Sequence, residues 1–261
     1  MKTVGFIGMG NMASALCKGF IASGKLTKEN TFAYAPNQEK LRKNGENYGF
    51  TPCANLQELL LKSEIIIMAC KPYQIEGVLA EAGAGSWSNR AILSIAAGWD
   101  YKSYQKVLTG NPRVQYIMPN TPARVQAGVM LFEKQNGLMD EERAFAKDLF
   151  SAVGIIVELP TEQMKIGMSI SGCGPAFVDM MIEAYADAAV KYGIPRNTAY
   201  QMVSQTILGS AKLQQMTGLH PGILKDQVCS PGGTTIRGVA SLEATGFRNS
   251  CMESIDAIMN S

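Results

Sequence analysis

A short loop near the end of the sequence combines hydroxyl side chains with glycines, a combination suited to binding a small anion. The loop runs from Ser230 to Thr235 and reads Ser-Pro-Gly-Gly-Thr-Thr. Apolar residues then return at helical spacing, so the loop leads into a helix N-terminus. Such a junction presents unpaired backbone N–H groups and the positive end of a helix dipole, which favour a carboxylate. A glycine-rich turn with a threonine N-cap is the alternative interpretation.

A second candidate site lies at the other end of the chain. Residues 8–13 have the spacing G-x-G-x-x-A, directly after the apolar segment 3–7 and before a helical run that ends at Gly24. In this context the first glycine makes a tight turn and the second lets the backbone approach a pyrophosphate. The small third residue allows the helix to pack closely on the strand. The pattern predicts dinucleotide binding, with a purely structural turn as the alternative.

The residues after the second predicted strand bear on the choice of dinucleotide. An NAD-specific protein usually places a carboxylate there, but the predicted strand 31–35 ends in Ala35 and is followed by Pro36 and Asn37. The missing carboxylate removes a repulsion against a 2′-phosphate, and Lys40, with Arg42 and Lys43, follows in the next helix. We therefore expect NADPH to be preferred, with NADH possible. The alternative is that these cations form a solvated helix face.

Strand and helix patterns alternate through the first 160 residues. Strand patterns recur at 65–69, 91–95, 113–118, 128–133 and 155–159, with helical patterns between most of them. This alternation predicts an α/β fold, an N-terminal Rossmann-like doubly wound sheet. Ligands of such sheets lie beyond the carboxyl ends of the strands, here segments 70–72, 96–98 and 119–122. These three turns are candidates for the wall of a cofactor site.

Beyond Pro160 the strand patterns stop, and helical patterns follow at 161–170, 175–192, 195–217, 234–244 and 246–259. We therefore expect two domains: residues 1–160 bind the dinucleotide, and residues 161–261 form an all-α domain for substrate binding and dimerisation. A predicted core stripe in this second domain comprises Phe177, Met181, Ala184, Tyr185 and Ala188. A helical domain of this size often needs a partner to cover its apolar faces, which favours a homo-oligomer.

Composition excludes several classes of protein. The 261 residues carry a net charge of +2 without a basic block, so neither nucleic acid nor a membrane surface is expected as a partner. The six cysteines are widely spaced without a CxxC pair, which is typical of reduced thiols in a cytoplasmic protein. With one histidine, His220, and no clustered cysteines, no metal site is expected. His220 stands beside Pro221 and well before the loop, which favours a structural role over acid catalysis.

Taken together, these segments resemble pyrroline-5-carboxylate reductases over essentially the whole chain. The resemblance rests on Phe6 to Ala13, on Cys70-Lys71-Pro72, on Met118 to Pro122, on Ser171 to Phe177, and on His220 to Thr235. The last of these contains the family signature, Ser-Pro-Gly-Gly-Thr-Thr. Two positions depart from the family's pattern, because Cys173 replaces a usual serine and Ala35 replaces a serine that some members use to bind the 2′-phosphate.

The resemblance implies an activity and a set of site residues. The enzyme would transfer a hydride from NAD(P)H to the C=N carbon of 1-pyrroline-5-carboxylate, giving L-proline, the last step of proline biosynthesis. Members of the family form dimers with interlocked helical domains, in which the loop of one subunit completes the cofactor site of the other. The residues matching its substrate contacts are Ser230, Gly233, Thr234 and Thr235. Those matching its cofactor contacts are Gly8, Met9, Gly10, Asn11, Met12, Ala35, Asn37, Asn55, Cys70, Lys71 and Ala97.

The implied chemistry needs no strong acid, because an imine nitrogen can already be protonated before the hydride arrives. Catalysis then depends on aligning two ligands and stabilising a changing charge. We expect the Thr235 hydroxyl to hydrogen-bond the ring nitrogen, with proton relay as the alternative role.

Two other classes of protein would share part of this set of motifs. A 3-hydroxyacid dehydrogenase of similar layout would carry a lysine four residues after a G-x-G turn, where this chain has Val178 after Gly174. An alcohol or carbonyl substrate needs such a proton carrier. A cofactor-binding regulator without catalysis would keep residues 8–13 but would have no reason to keep the loop 230–235.

Overall fold

The computed structural model describes residues 2–261, except for the side chain of Ala84. The chain divides into two compact units, the first ending at Gly172 and the second comprising Cys173–Ser261.

The first unit is built on an eight-stranded sheet in the order β3-β2-β1-β4-β5-β6-β7-β8. All neighbouring strands run parallel except β6 and β7, which are antiparallel. The fourth strand is apolar on both faces and fully buried, as expected for the centre of a parallel sheet. The strands are β1 (Val4–Ile7), β2 (Thr31–Tyr34), β3 (Thr51–Pro52), β4 (Ile65–Met68), β5 (Ala91–Ser94), β6 (Val114–Met118), β7 (Gly128–Glu133) and β8 (Gly154–Leu159).

Helices cover both faces of this sheet, and a buried apolar cluster lies on each side. On one side, edge-to-face contacts join Phe20 and Phe132 to Phe150, with ring centroids 5.2 and 5.7 Å apart. On the other side, Tyr104 is fully buried and its hydroxyl donates to Ser94 Oγ at 2.9 Å. The α-helices are α1 (Asn11–Ala22), α2 (Gln38–Tyr48), α3 (Leu56–Lys62), α4 (Ile75–Ala82), α5 (Tyr101–Val107), α6 (Asp140–Ser151) and α7 (Met164–Ser171). The predicted Rossmann-like class is confirmed.

Helix α7 belongs to the first unit, although the domain boundary expected from the sequence lies before it. Met164 is buried against the apolar side chains of β6 and β7. Thr161 Oγ1 donates to the buried Glu133 Oε1 at 2.5 Å, and Asn120 Nδ2 donates to Ser171 O at 2.8 Å. These contacts attach residues 161–172 to the sheet. The first compact unit therefore extends twelve residues beyond Pro160, where the strand patterns end.

The second unit is entirely helical. Its helices are α8 (Gly174–Lys191), α9 (Arg196–Thr217), α10 (Pro221–Gln227), α11 (Thr234–Ala244) and α12 (Phe247–Met259). Helices α8 and α9 pack on each other, but only Ala186 and Ala199 are buried in the unit. The predicted core stripe of α8 is therefore wrong for the single chain: Tyr185 is 45% exposed, because no surface of the same unit covers it.

Helix α10 was not expected, because seven residues that include Pro221 and Gly222 have little helical periodicity. His220 begins it as the N-cap: the ring Nδ1 accepts a hydrogen bond from Gly222 N at 3.0 Å. The sole histidine thus has the structural role expected of it. Among residues 2–261, no helix combines the length and apolar character that crossing a membrane requires.

Candidate functional site

The first unit contains a cleft of about 970 Å³ at the carboxyl ends of its parallel strands. It is lined by the loop after β1, the turn after β2 and the segments that follow β4, β5 and β6. Ten of the eleven expected cofactor residues line it, namely Gly8, Met9, Gly10, Asn11, Met12, Ala35, Asn37, Cys70, Lys71 and Ala97. This is the position in which doubly wound sheets bind ligands.

Gly8 makes the sharp turn out of β1. Its φ is +92°, a left-handed conformation that favours glycine, and its N–H donates to Tyr34 O at 2.8 Å. A β-carbon at this position would lie 2.8 Å from both Ala69 O and Cys70 N. The loop after β1 is therefore pressed against the backbone after β4, and only glycine fits between them.

Gly10 serves a different purpose at the N-terminus of α1. It has a φ of −79°, and a β-carbon here would meet no atom within 4 Å. No side chain caps the helix, and no acidic residue lies in its first turn. The first N–H groups of α1 therefore face open space in the cleft, which suits a pyrophosphate.

The turn after β2 is held by hydrogen bonds and carries no carboxylate. Asn37 Oδ1 accepts from Lys40 N at 3.0 Å and so caps α2. Gln38 Nε2 donates to Ala35 O at 3.0 Å and to Cys53 O at 3.3 Å. Ala35 and Asn37 are fixed at the rim of the cleft, where the adenosine ribose lies in this fold.

The turns after β4 and β5 complete the wall. Burial raises the pKa of the Cys70 thiol to about 11, so Cys70 is neutral near pH 7 and serves as an apolar lining residue. Lys71 is exposed at the cleft, and its N–H donates to Gln74 Oε1 at 3.0 Å. Glu81 is the single carboxylate among the described lining residues.

Asn55 is not among the lining residues. Its Oδ1 accepts from Glu58 N at 2.8 Å and caps α3. Conversely, Arg124 and the α4 residues Gly77, Val78 and Glu81 line the cleft without having been singled out from the sequence. Arg124 follows the segment 119–122, which was expected at the wall. The spacing of the α4 residues places them on one face of the helix. No motif in the sequence indicates that this face lines a cofactor site.

The loop Ser230–Thr235 lies in the second unit, at the start of α11. Gly232 has a φ of +70°, and Gly233 N donates to Ser230 O at 3.0 Å, which closes a tight turn. A β-carbon on Gly233 would lie 2.3 Å from Ser230 Oγ. Gly233 is the N-cap and offers no side-chain acceptor, so the first N–H groups of α11 remain available beside the exposed Thr234 and Thr235. The expected helix junction is present.

No group of histidine, cysteine or acidic side chains within residues 2–261 is arranged to hold a metal ion.

Two family models match the chain. One, described as pyrroline-5-carboxylate reductase dimerisation, matches residues 161–261, and one described as NADP oxidoreductase, coenzyme F420-dependent, matches residues 3–98. The pyrroline-5-carboxylate reductase of Treponema pallidum is 38% identical over 262 residues, covering 99% of both chains. That of Escherichia coli is 37% identical, covering 99% of this chain and 96% of the relative.

Solved structures give the same result. The pyrroline carboxylate reductase of Plasmodium falciparum with NADP bound has a TM-score of 0.87 and 32% identity, covering 98% of this chain and 95% of the other. The pyrroline-5-carboxylate reductase of Coxiella burnetii has a TM-score of 0.91 and 29% identity, covering 99% and 96%. On these full-length similarities, the chain belongs to the pyrroline-5-carboxylate reductase family.

Proposed function

We propose that this protein reduces 1-pyrroline-5-carboxylate to L-proline with NAD(P)H, the last step of proline biosynthesis. The similarity to curated reductases, at 37–38% identity along the whole chain, carries the proposal. It spans both the glycine loop at the cleft and the loop before α11.

The reaction balances with one hydride and one proton. The reduced nicotinamide supplies the hydride to the ring carbon of the C=N bond, and the ring nitrogen carries the proton, giving proline and NAD(P)⁺. The main task of the protein is to hold the two ligands in line and to exclude water.

The cleft of the first unit is the proposed cofactor site. The open space at Gly10 and the uncapped N-terminus of α1 fit a pyrophosphate. Ala35 and Asn37 would face the adenosine ribose. The rest of the cofactor would contact Cys70, Lys71 and Ala97. NADPH is the preferred cofactor and NADH a possible one, because no carboxylate stands after β2. The NADP bound in the Plasmodium falciparum relative supports this assignment. Asn55, which the resemblance implies as a cofactor contact, caps α3 through its amide oxygen and is not among the residues lining the cleft, so its contact with the cofactor stays a prediction.

The loop before α11 is the proposed substrate site. The substrate carboxylate would accept hydrogen bonds from the N–H groups at the start of α11, assisted by the hydroxyls of Ser230 and Thr234. The Thr235 hydroxyl would hydrogen-bond the ring nitrogen and position it for the hydride.

Gly233→Ala tests the substrate site. The added β-carbon would lie 2.3 Å from Ser230 Oγ and 3.1 Å from Ser230 O, so the loop must shift. We expect the KM for the imine to rise by about tenfold, equivalent to about 1.4 kcal/mol, with the dissociation constant of NADPH unchanged. Gly238→Ala, on the same helix and with no atom within 4 Å of its β-carbon, is the control. Equal kinetics of the two variants would contradict the assignment.

Residues 161–261, which comprise α7 and the whole second unit, are the proposed dimerisation domain, and the dimerisation family model matches the same range. Large apolar side chains are exposed on several of its helices, including Met180 at 68%, Leu208 at 59% and Met216 at 77%. A unit with two buried residues has too little core to be stable alone, so a second copy must cover these faces. The six cysteines are all free, which supports a cytoplasmic location.

We expect light scattering at micromolar concentration to give a mass at least twice that of the 28.1 kDa chain. Because dimerisation and folding are then coupled, the Tm rises with protein concentration. A monomer with a Tm independent of concentration would contradict the proposal.

The hydride route has its own test. With NADPH carrying deuterium at the transferred position of nicotinamide C4, mass spectrometry should find one deuterium at C5 of the proline formed. Proline without deuterium would rule out direct transfer.

A further inference from the structure

A recess of about 530 Å³ lies at the edge of the sheet opposite the cofactor cleft, and we refer to it as the amino-edge recess. Residues at the amino ends of four neighbouring strands line it: Thr3 precedes β1, Glu64 precedes β4, Arg90 precedes β5 and Arg113 precedes β6. The last turn of α3 and the first turn of α6 supply the other walls. The recess and the cofactor cleft have no lining residue in common.

Most charges in the amino-edge recess are neutralised by the chain itself. Seven charged side chains line it, and five of them form salt bridges, namely Lys2 with Glu141 at 3.4 Å, Arg113 with Glu142 at 3.2 Å, and Lys62 with Glu58 at 2.7 Å. Within residues 2–261, the remaining two, Arg90 and Glu64, form none. The recess is thus left with one cation and one anion that lack counter-ions.

The two unpaired charges stand on adjacent strands. Parallel pairing aligns Ile65 of β4 with Ala91 of β5, and Glu64 and Arg90 are the residues directly before these two. They do not pair with each other, because Glu64 Oε2 instead accepts from Thr3 N at 3.1 Å on the β1 side. A ligand that carries both charges would satisfy the two side chains together.

Arg90 keeps hydrogen-bonding capacity for an anion. A guanidinium has five N–H donors, and Arg90 uses two of them on backbone carbonyls, Nη1 on Ser86 O and Nη2 on Leu60 O at 2.7 Å. Its Nε is enclosed and has no partner within the part of the chain that the structure describes. The two carbonyl contacts hold the guanidinium in place while one N–H on each Nη atom remains available.

The recess also has an apolar wall. Leu61, in the last turn of α3, is 85% exposed, and Met139, at the start of α6, is 44% exposed. Both line the recess beside the two unpaired charges. A hydrocarbon group bound here would remove apolar surface from water.

We infer that the amino-edge recess binds a free α-amino acid with an apolar side chain. Arg90 binds the carboxylate through its available Nη donors, Glu64 binds the ammonium group, and Leu61 contacts the side chain. A zwitterion matches the one cation and one anion that the chain leaves unpaired, whereas a simple anion would meet the carboxylate of Glu64. The site goes beyond the proposed reaction, because its residues belong neither to the cofactor cleft nor to the loop before α11.

Isothermal titration calorimetry on the purified full-length protein tests the site with L-valine, an amino acid that the proposed reaction neither consumes nor forms. We expect saturable binding of L-valine, and affinities at least about tenfold weaker for acetate and for ethylammonium, each of which carries only one of the two charges. Glycine, which has no side chain to cover the apolar wall, should also bind more weakly than L-valine.

Glu64→Gln assigns the binding to this recess. Glutamine keeps an oxygen that can accept from Thr3 N, so the Tm should stay at the wild-type value while the negative charge is lost. We expect the dissociation constant of L-valine to rise about tenfold, the loss typical of a charge-assisted contact. Glu46→Gln removes the same charge from an exposed position on α2 and is the matched control, with an expected dissociation constant equal to that of the wild type.

Several outcomes would overturn the inference. The first is the absence of saturable L-valine binding, and the second is an affinity that Glu64→Gln leaves unchanged, which would place the ligand elsewhere. Equal losses in the Glu64 and Glu46 variants would reduce the effect to net charge. If acetate binds as tightly as L-valine and competes with it, the recess is a general anion site and the assignment to an amino acid fails.

Discussion

Thr235→Val is expected to lower kcat with 1-pyrroline-5-carboxylate by about 10²-fold, the usual cost of removing one hydrogen bond that stabilises a transition state. Valine matches threonine in shape and in helix propensity, so the substitution removes the hydroxyl and little else. Thr235 is exposed in the first turn of α11, and no hydrogen bond within the described chain depends on its side chain. Steady-state kinetics at saturating NADPH measure the effect.

Two comparisons distinguish a role in the reaction from a role in the fold. The dissociation constant of NADPH and the Tm should equal those of the wild type. Thr235→Ser, which keeps the hydroxyl, should recover most of the lost kcat. Unchanged turnover in Thr235→Val would remove this residue from the mechanism.

Gly10→Ala is expected to weaken the binding of both NADPH and NADH by about 10- to 100-fold without affecting the fold. In the free protein the new methyl group meets no atom within 4 Å, and the φ of −79° suits alanine. The methyl group enters the space where the pyrophosphate approaches the backbone. Fluorescence titration with each cofactor gives the affinities, and thermal denaturation gives the stability.

Gly8→Ala, two residues away, should give the opposite result. Its β-carbon would lie 2.8 Å from backbone atoms of Ala69 and Cys70, and its φ of +92° strains any side chain. We expect the free energy of unfolding to fall by about 2 kcal/mol or more. If the Gly10 variant is the destabilised one, or if both bind cofactor normally, the assigned roles of the two glycines are wrong.

The sequence predicts structure correctly where a local backbone conformation requires a particular residue type. The glycine loop, the strand ends and the junction before α11 depend on local φ, close approach and helix termini, which glycine, proline and threonine mark directly. These signals predicted the Rossmann-like sheet, the glycine loop and the strand-end turns, and the resemblance to the family then named the ten residues that line the cleft.

The remaining features depend on three-dimensional neighbours. Arg124 and the α4 residues reach the cleft through the packing of their segments. Asn55 is the N-cap of α3. Asparagine is a favoured N-cap residue, so the sequence also indicates this local role. The α8 stripe has helical periodicity, but periodicity does not say whether its own chain or a second copy covers it.

The most direct test of the proposed function is the initial rate of NADPH oxidation, followed by absorbance, with purified protein and 1-pyrroline-5-carboxylate. The same assay is run with NADH, and in reverse with a 3-hydroxyacid and NADP⁺. The proposal predicts rapid oxidation with the imine, faster with NADPH than with NADH, and no turnover of the hydroxyacid. Turnover of the hydroxyacid alone would contradict the proposed chemistry. No turnover of either substrate would favour a cofactor-binding regulator.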